Sequence, residues 1–146
     1  MKDFKPNFTV YLANAYSSKL VDKDQARLEQ EQRALLEAYI GGAIKKKYGC
    51  TVILPIAISA AMARLCHFGT GFDSWANDDY TFISKSDEVW VLLAKGWDKS
   101  QGVIAEIKFA KEMGITVKYL NQNTLELYDG HDNGDIISEY LNDYKI

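Results

Sequence analysis

The sequence predicts an α/β domain, a doubly wound, mainly parallel sheet with helices on both faces. Three observations carry this. Short apolar runs rich in β-branched and aromatic residues recur along the chain, segments of helical length and period separate them, and glycine or proline marks several junctions. Parallel neighbours need a crossover of about a dozen residues or more, which these spacers provide. At 146 residues, 47% hydrophobic and 25% charged, the chain has an ordinary globular composition and room for one core, so one domain is expected.

The elements follow in order. Residues 8–12 form an apolar, aromatic run that leads into Ala13-Asn14-Ala15, a strand feeding a loop. Residues 24–47 carry Leu28, Leu35, Leu36, Tyr39, Ile40, Ala43 and Ile44 at helical spacings, an amphipathic helix weakened by Gly41-Gly42 and ended by three lysines that suit its dipole. Residues 51–54 are a second strand stopped by Pro55, and 59–66 read as helical. Two glycines and no period make 67–73 a loop, after which Trp75, Tyr80, Phe82 and Ile83 suggest a helix over 74–85. The most strand-like run is 89–93. A connection at 94–100 leads to a helix over 101–113 closed by Gly114, then to a strand at 115–120. The polar remainder offers a last helix near 135–144, and the acidic stretch 129–135 lacks calcium-loop spacing and reads as a turn.

This order is Rossmann/flavodoxin-like. In such sheets ligands bind outside the carboxyl ends of the strands, where strand order reverses. With the first strand central, the reversal lies between it and the third, so the loops 13–19 and 94–100 should meet over one crevice.

Composition removes several functions. Lysine and arginine total 17 against 20 acidic residues, a net charge of −3, which disfavours a long nucleic acid as partner. The apolar run 51–63 is too short to span a bilayer and is interrupted by Pro55, and no signal-peptide pattern opens the chain. A cytoplasmic protein without a membrane partner is expected. Cys50 and Cys66 are not in CxxC spacing, and His67 and His131 complete a sparse ligand inventory, so no metal or other cofactor is expected.

The most informative stretch runs from Gly96 through Trp97, Asp98, Lys99, Ser100 and Gly102 to Glu106. Ser100 is a natural helix N-cap, and Gly102 bares the backbone of the first turn, so unpaired N–H groups there suit a phosphate or carboxylate. Glu106 lies one turn deeper on the same face, at the edge of a core stripe of Val103, Ile107 and Ala110. Taken alone, the stretch also reads as a capped helix whose glutamate pairs with a lysine. Its company changes the reading. Asp78-Asp79 precede the third strand, Tyr11 sits within the first strand and Asn14 at its exit, and these groups converge only at the crevice. Two carboxyls in one site can be driven to different protonation states, one a nucleophile and the other a proton donor.

These residues match a family pattern. Val10-Tyr11-Leu12-Ala13, Asp79 ahead of Ser86-Asp87-Glu88-Val89, and Ser100-x-Gly102-Val103-x-x-Glu106 resemble the nucleoside 2-deoxyribosyltransferase superfamily, including the deoxynucleoside 5'-monophosphate N-glycosidases. Gly96-Trp97-Asp98-Lys99-Ser100 is similar to a narrower phage and bacterial branch, labelled DUF1937, and the likeness spans residues 8–120. The resemblance implies an N-glycosidase acting on a small nucleoside or nucleoside monophosphate. Glu106 would attack the anomeric carbon, Asp79 would protonate the base and Tyr11 would hold the glutamate. Ser100 would grip a 5'-phosphate with its helix start, with Asn14, Trp97, Asp98 and Gly102 around the substrate. Base exchange between deoxynucleosides and a non-catalytic nucleotide sensor are the alternatives. It also implies a homo-oligomer.

One departure concerns the phosphate. The loop after the first strand usually carries an arginine in the phosphate-binding hydrolases, and here it offers only Lys19, with Arg27, Arg64 and His67 as other cations. Trp90 falls within a strand and belongs to the core, whereas Trp75 and Trp97 flank crevice loops, where stacking on a base and packing of loops are both open.

Overall fold

The computed structural model describes residues 3–69 and 71–130, so the helix expected near 135–144 and most of the 129–135 turn lie outside the described residues. The chain runs β1 (Thr9–Ala13), α1 (Lys23–Tyr48), β2 (Thr51–Ile53), α2 (Pro55–Cys66), α3 (Phe72–Ser84), β3 (Glu88–Leu92), a 3-10 turn (Trp97–Lys99), α4 (Gln101–Glu112), β4 (Thr116–Leu120) and β5 (Leu127–Asp129). The sheet order is β2-β1-β3-β4-β5. The first four strands are parallel, and β5 pairs antiparallel with β4. The expected doubly wound α/β fold is present.

The pleat of β1 explains how one strand serves two layers. Val10 and Leu12 point to the α1 face, where they meet Ile40, Ile44, Trp90, Leu92 and Leu120. Tyr11 and Ala13 point to the opposite face, among Ile83 of α3 and Val103 and Ala110 of α4. The start of β1 is pinned from another element, because the Thr9 N–H donates to Asp87 Oδ2 at 2.7 Å.

Helix α1 begins on an Asp22 cap whose carboxylate accepts from the Asp24 and Gln25 N–H groups. Only Glu37, Ile40, Gly41 and Ile44 of α1 are buried, and the Leu28, Leu35 and Tyr39 assigned to its apolar stripe are exposed. Helical spacing puts Leu28, Leu35 and Tyr39 on the side of α1 opposite Glu37, Ile40, Gly41 and Ile44, so they face away from the sheet. Two boundaries also shift. Helix α2 starts at Pro55, which suits a first helical position because its missing N–H would have no helical partner there, and α3 starts at Phe72.

Strand β5 was not foreseen. Asn121 Oδ1 accepts from the Asn123 and Thr124 N–H groups at 2.8 and 3.1 Å, a turn that reverses the chain and returns Leu127 opposite Leu120. The cluster Asn121-Gln122-Asn123-Thr124 before an alternating Leu-x-Leu-Tyr is the signal that marks it.

Candidate active site

The reversal of strand order falls between β1 and β3. Over the carboxyl ends of these strands lies a cavity of about 740 Å³, within the usual size range of small-molecule sites. The loops 14–20 and 95–101 both contribute to it, as the strand order requires. Of the residues singled out in the sequence, Tyr11, Asn14, Asp79, Ser100, Gly102 and Glu106 line it together.

Each reaches the cavity for a local reason. Tyr11 comes from the α3–α4 face of β1 and is wholly enclosed. Asp79 lies on α3, and Phe72 and Trp75 from the first turns of the same helix line the cavity with it. Glu106 lies on α4 between the buried Val103 and Ala110, and is itself 5% exposed, so it belongs to the buried face rather than its edge. Ser100 Oγ accepts the Val103 N–H at 3.2 Å, the expected N-cap, and its own hydroxyl hydrogen stays available to a ligand. Gly102 answers a close approach, since a Cβ there would meet Phe72 Cδ2 at 3.2 Å and narrow the passage to Glu106 Oε1, 3.8 Å away.

Electrostatics separates these carboxyls from ordinary surface acids. Burial pushes Asp79 up to about 7, with Asp78 adding to the shift and the Tyr11 hydroxyl opposing it. Burial holds Glu106 well above the usual carboxyl range; the Tyr11 hydroxyl opposes this, and the charges of Asp79 and Glu37 add to it. The Tyr11 hydroxyl is raised too, by burial and then by Glu106 and Asp79. Tyr11 therefore faces both carboxyls, yet neither its oxygen nor Glu106 Oε2 completes a well-formed hydrogen bond to a protein group. Asn14 donates to the Arg33 carbonyl at 3.2 Å, and its buried Oδ1 likewise has no protein partner. Buried polar atoms left open at one place are what a polar ligand would satisfy.

Trp97 and Asp98 do not join the cavity lining. Gly96 takes a left-handed backbone, φ 88°, that turns the chain into the 3-10 segment, and Trp97 packs edge-on against Tyr119 with ring centroids 5.5 Å apart. Asp98 is exposed. Trp75 does reach the cavity, its indole N–H donating to the Gly69 carbonyl at 2.6 Å, and Trp90 lies in the core.

Two residues were missed. Arg33 of α1 lines the cavity, donates through Nη1 to the Tyr16 and Ser17 carbonyls at 3.2 and 2.5 Å, and pairs with Glu29 at 3.1 Å. The arginine absent from the loop after β1 thus arrives from the helix that follows, whereas Arg64 pairs with Glu31 away from the cavity and His67 caps α2. Glu37 is the second, a fully buried carboxyl whose Oε2 accepts the Ala57 N–H at 2.9 Å. Neither carries a sequence signal, because both sit in a long, charged helix where glutamate and arginine are common.

No three His, Cys, Asp or Glu side chains among the described residues are placed to hold a metal ion. No helix among them is long and apolar enough to cross a membrane. Residues 8–122 match the family model described as a domain of unknown function, DUF1937. Comparison with curated proteins finds no match.

Proposed function

We propose that this chain, which belongs to the DUF1937 family, cleaves the base–sugar bond of a small nucleoside or nucleoside 5'-monophosphate, as the nucleoside 2-deoxyribosyltransferase superfamily pattern in its sequence implies. The observation that carries the reading is the presence of Asp79 and Glu106 in one cavity, both raised by burial and both facing Tyr11. Cleavage places positive charge on the sugar and negative charge on the departing base, so it calls for a carboxylate below C1' and an acid beside the base.

Glu106 supplies the carboxylate. One of its oxygens bonds to C1' as the C1'–N bond breaks, the electron pair of that bond passes to the base, and Asp79 gives the base its proton. Water then attacks C1' of the glycosyl ester, yielding its proton to Asp79, and the Glu106 carboxylate departs. Burial raises both carboxyls, so in the ligand-free protein the pair keeps a proton that the two share. The productive state has the same total charge with that proton on Asp79, and positive charge growing on the sugar beside Glu106 favours it. The pair therefore acts as a unit carrying one proton.

The start of α4 suits a phosphate. It presents Ser100 and Gly102, and Lys19, Arg33, Lys95 and Lys99 also line the cavity. Replacing Ser100 by alanine should raise KM for a monophosphate several-fold, leave the matching nucleoside nearly unchanged, and cost about 1 kcal/mol of stability through the lost cap. Steady-state kinetics on both substrates with a thermal melt checks this; an equal change for both substrates would remove the phosphate from that end.

The direct test is chromatography for free base after incubation with each common nucleoside and 5'-monophosphate, with and without a second base. Released base supports hydrolysis, and a swapped nucleoside identifies transfer. Tight binding with no conversion of any of them would reject an enzyme in favour of a sensor.

A further inference from the structure

Glu37 is the buried acid that the proposed reaction leaves unused. Its side chain is fully enclosed on the inner face of α1, Oε2 holds the Ala57 N–H at 2.9 Å, and Oε1 has no protein partner. The bond has a clear local cause. The first turn of a helix leaves N–H groups open, and Leu54, at the N-cap position of α2, makes no side-chain cap. Glu37 closes this turn from a different helix. The turn it closes also builds the cavity, to which Pro55, Ile56 and Ser59 contribute one wall. One carboxyl behind that wall thus connects α1 to the surface a substrate would touch.

We propose that Glu37 is a positioning residue for base release, clamping the first turn of α2 so that the Pro55–Ser59 wall stays in register with Asp79 and Glu106. The proposal rests on the base-release reading. A hydrogen bond of this kind is needed because Pro55 fixes how the chain enters α2 but cannot hold the turn against α1. The groups that face Glu37 are the Ile56 and Ala57 N–H groups of α2 and Asp79 of α3, with Tyr11 of β1 and Glu106 of α4 feeling its charge. No cation is among them. Burial pushes Glu37 up to about 8, against the opposing pull of the α2 N–H groups and with Asp79 adding to the rise. Near neutral pH the clamp is therefore uncharged, and glutamine is its close mimic. As pH rises past this value, a charge on Glu37 disfavours ionisation of Glu106.

The experiment compares the full-length wild type with Glu37→Gln, Glu37→Asp and Glu37→Ala. It reads thermal stability, kcat and KM for base release across pH 6 to 9, and hydrogen exchange at the Ala57 amide. Glu37→Gln should stay within about twofold of wild type near pH 6.5 and begin its alkaline loss of turnover at a lower pH, because it lacks the charge that helps the pair keep its last proton. Glu37→Ala should exchange Ala57 at least about tenfold faster and raise KM about tenfold with a smaller change in kcat. If the alanine variant does not fold, Glu37→Asp, one methylene short of Ala57, should show the same KM rise with its carboxyl retained. Unchanged KM and unchanged Ala57 exchange in the alanine variant, or in the aspartate variant where alanine does not fold, overturn the clamp. A wild type that releases no base overturns the reaction instead, and Ala57 exchange then decides the clamp by itself.

Discussion

Glu106→Gln should abolish base release, by at least about a thousandfold in kcat/KM, while the protein keeps its fold. Glutamine has the shape of the carboxyl but cannot donate an electron pair to C1' as an anion. Its stability should move the other way. A carboxyl that is raised on folding contributes stability while it is protonated, and that contribution falls as pH rises from its ordinary range towards its folded value. The wild type should therefore melt at a lower temperature at about pH 8 than at about pH 5, and Glu106→Gln should lose less over that interval. Melting curves at the two pH values, beside an activity assay, read both effects. Turnover equal to wild type would remove Glu106 from the chemistry.

Asp79→Asn should lower base release by about 10²- to 10⁴-fold, the usual range for removing a general acid. The shape of the pH profile is more telling than the size of the loss. In the wild type the active pair carries one proton, so the rate rises as the pair loses its first proton, near the Asp79 value of about 7, and falls when the second is lost at higher pH. With asparagine in place, only Glu106 titrates. Residual activity should then climb with pH and show no alkaline decline from this pair. A base that departs readily without protonation should also suffer less than one that does not. A wild-type-like bell in the variant, with the same loss for every base, would assign Asp79 to packing rather than proton transfer.

Much of the fold could be read from residue order because strands and helices here have different periods and the crossovers leave little choice of topology. The sheet switch point followed from the same order, and with it the meeting of Tyr11, Asp79 and Glu106 around one cavity. Trp97 shows where local reading stops. A tryptophan in a crevice loop is a fair candidate for stacking on a base, but the left-handed Gly96 turns it onto Tyr119, and no neighbour-by-neighbour pattern encodes that direction. Arg33 and Glu37 show a second limit. Each acts where α1 passes another segment, at the loop after β1 and at the start of α2, so its role exists only once the helices are assembled. Strand β5 is short and belongs to the sheet through pairing with β4 rather than through a strong apolar run of its own.

Helix α1 has 26 residues, about 39 Å of rise, whereas β1 has five, about 17 Å. Full burial in this helix starts only at Glu37, and the turns before that point are held by polar contacts, Arg33 to the Tyr16 and Ser17 carbonyls and Glu31 to Arg64, with Glu29 and Arg33 lining the cavity. The wall that these turns give the cavity is thus fastened by polar contacts, whereas the turns from Glu37 onward are fastened by burial, so a single helix serves the cavity and the core through different forces.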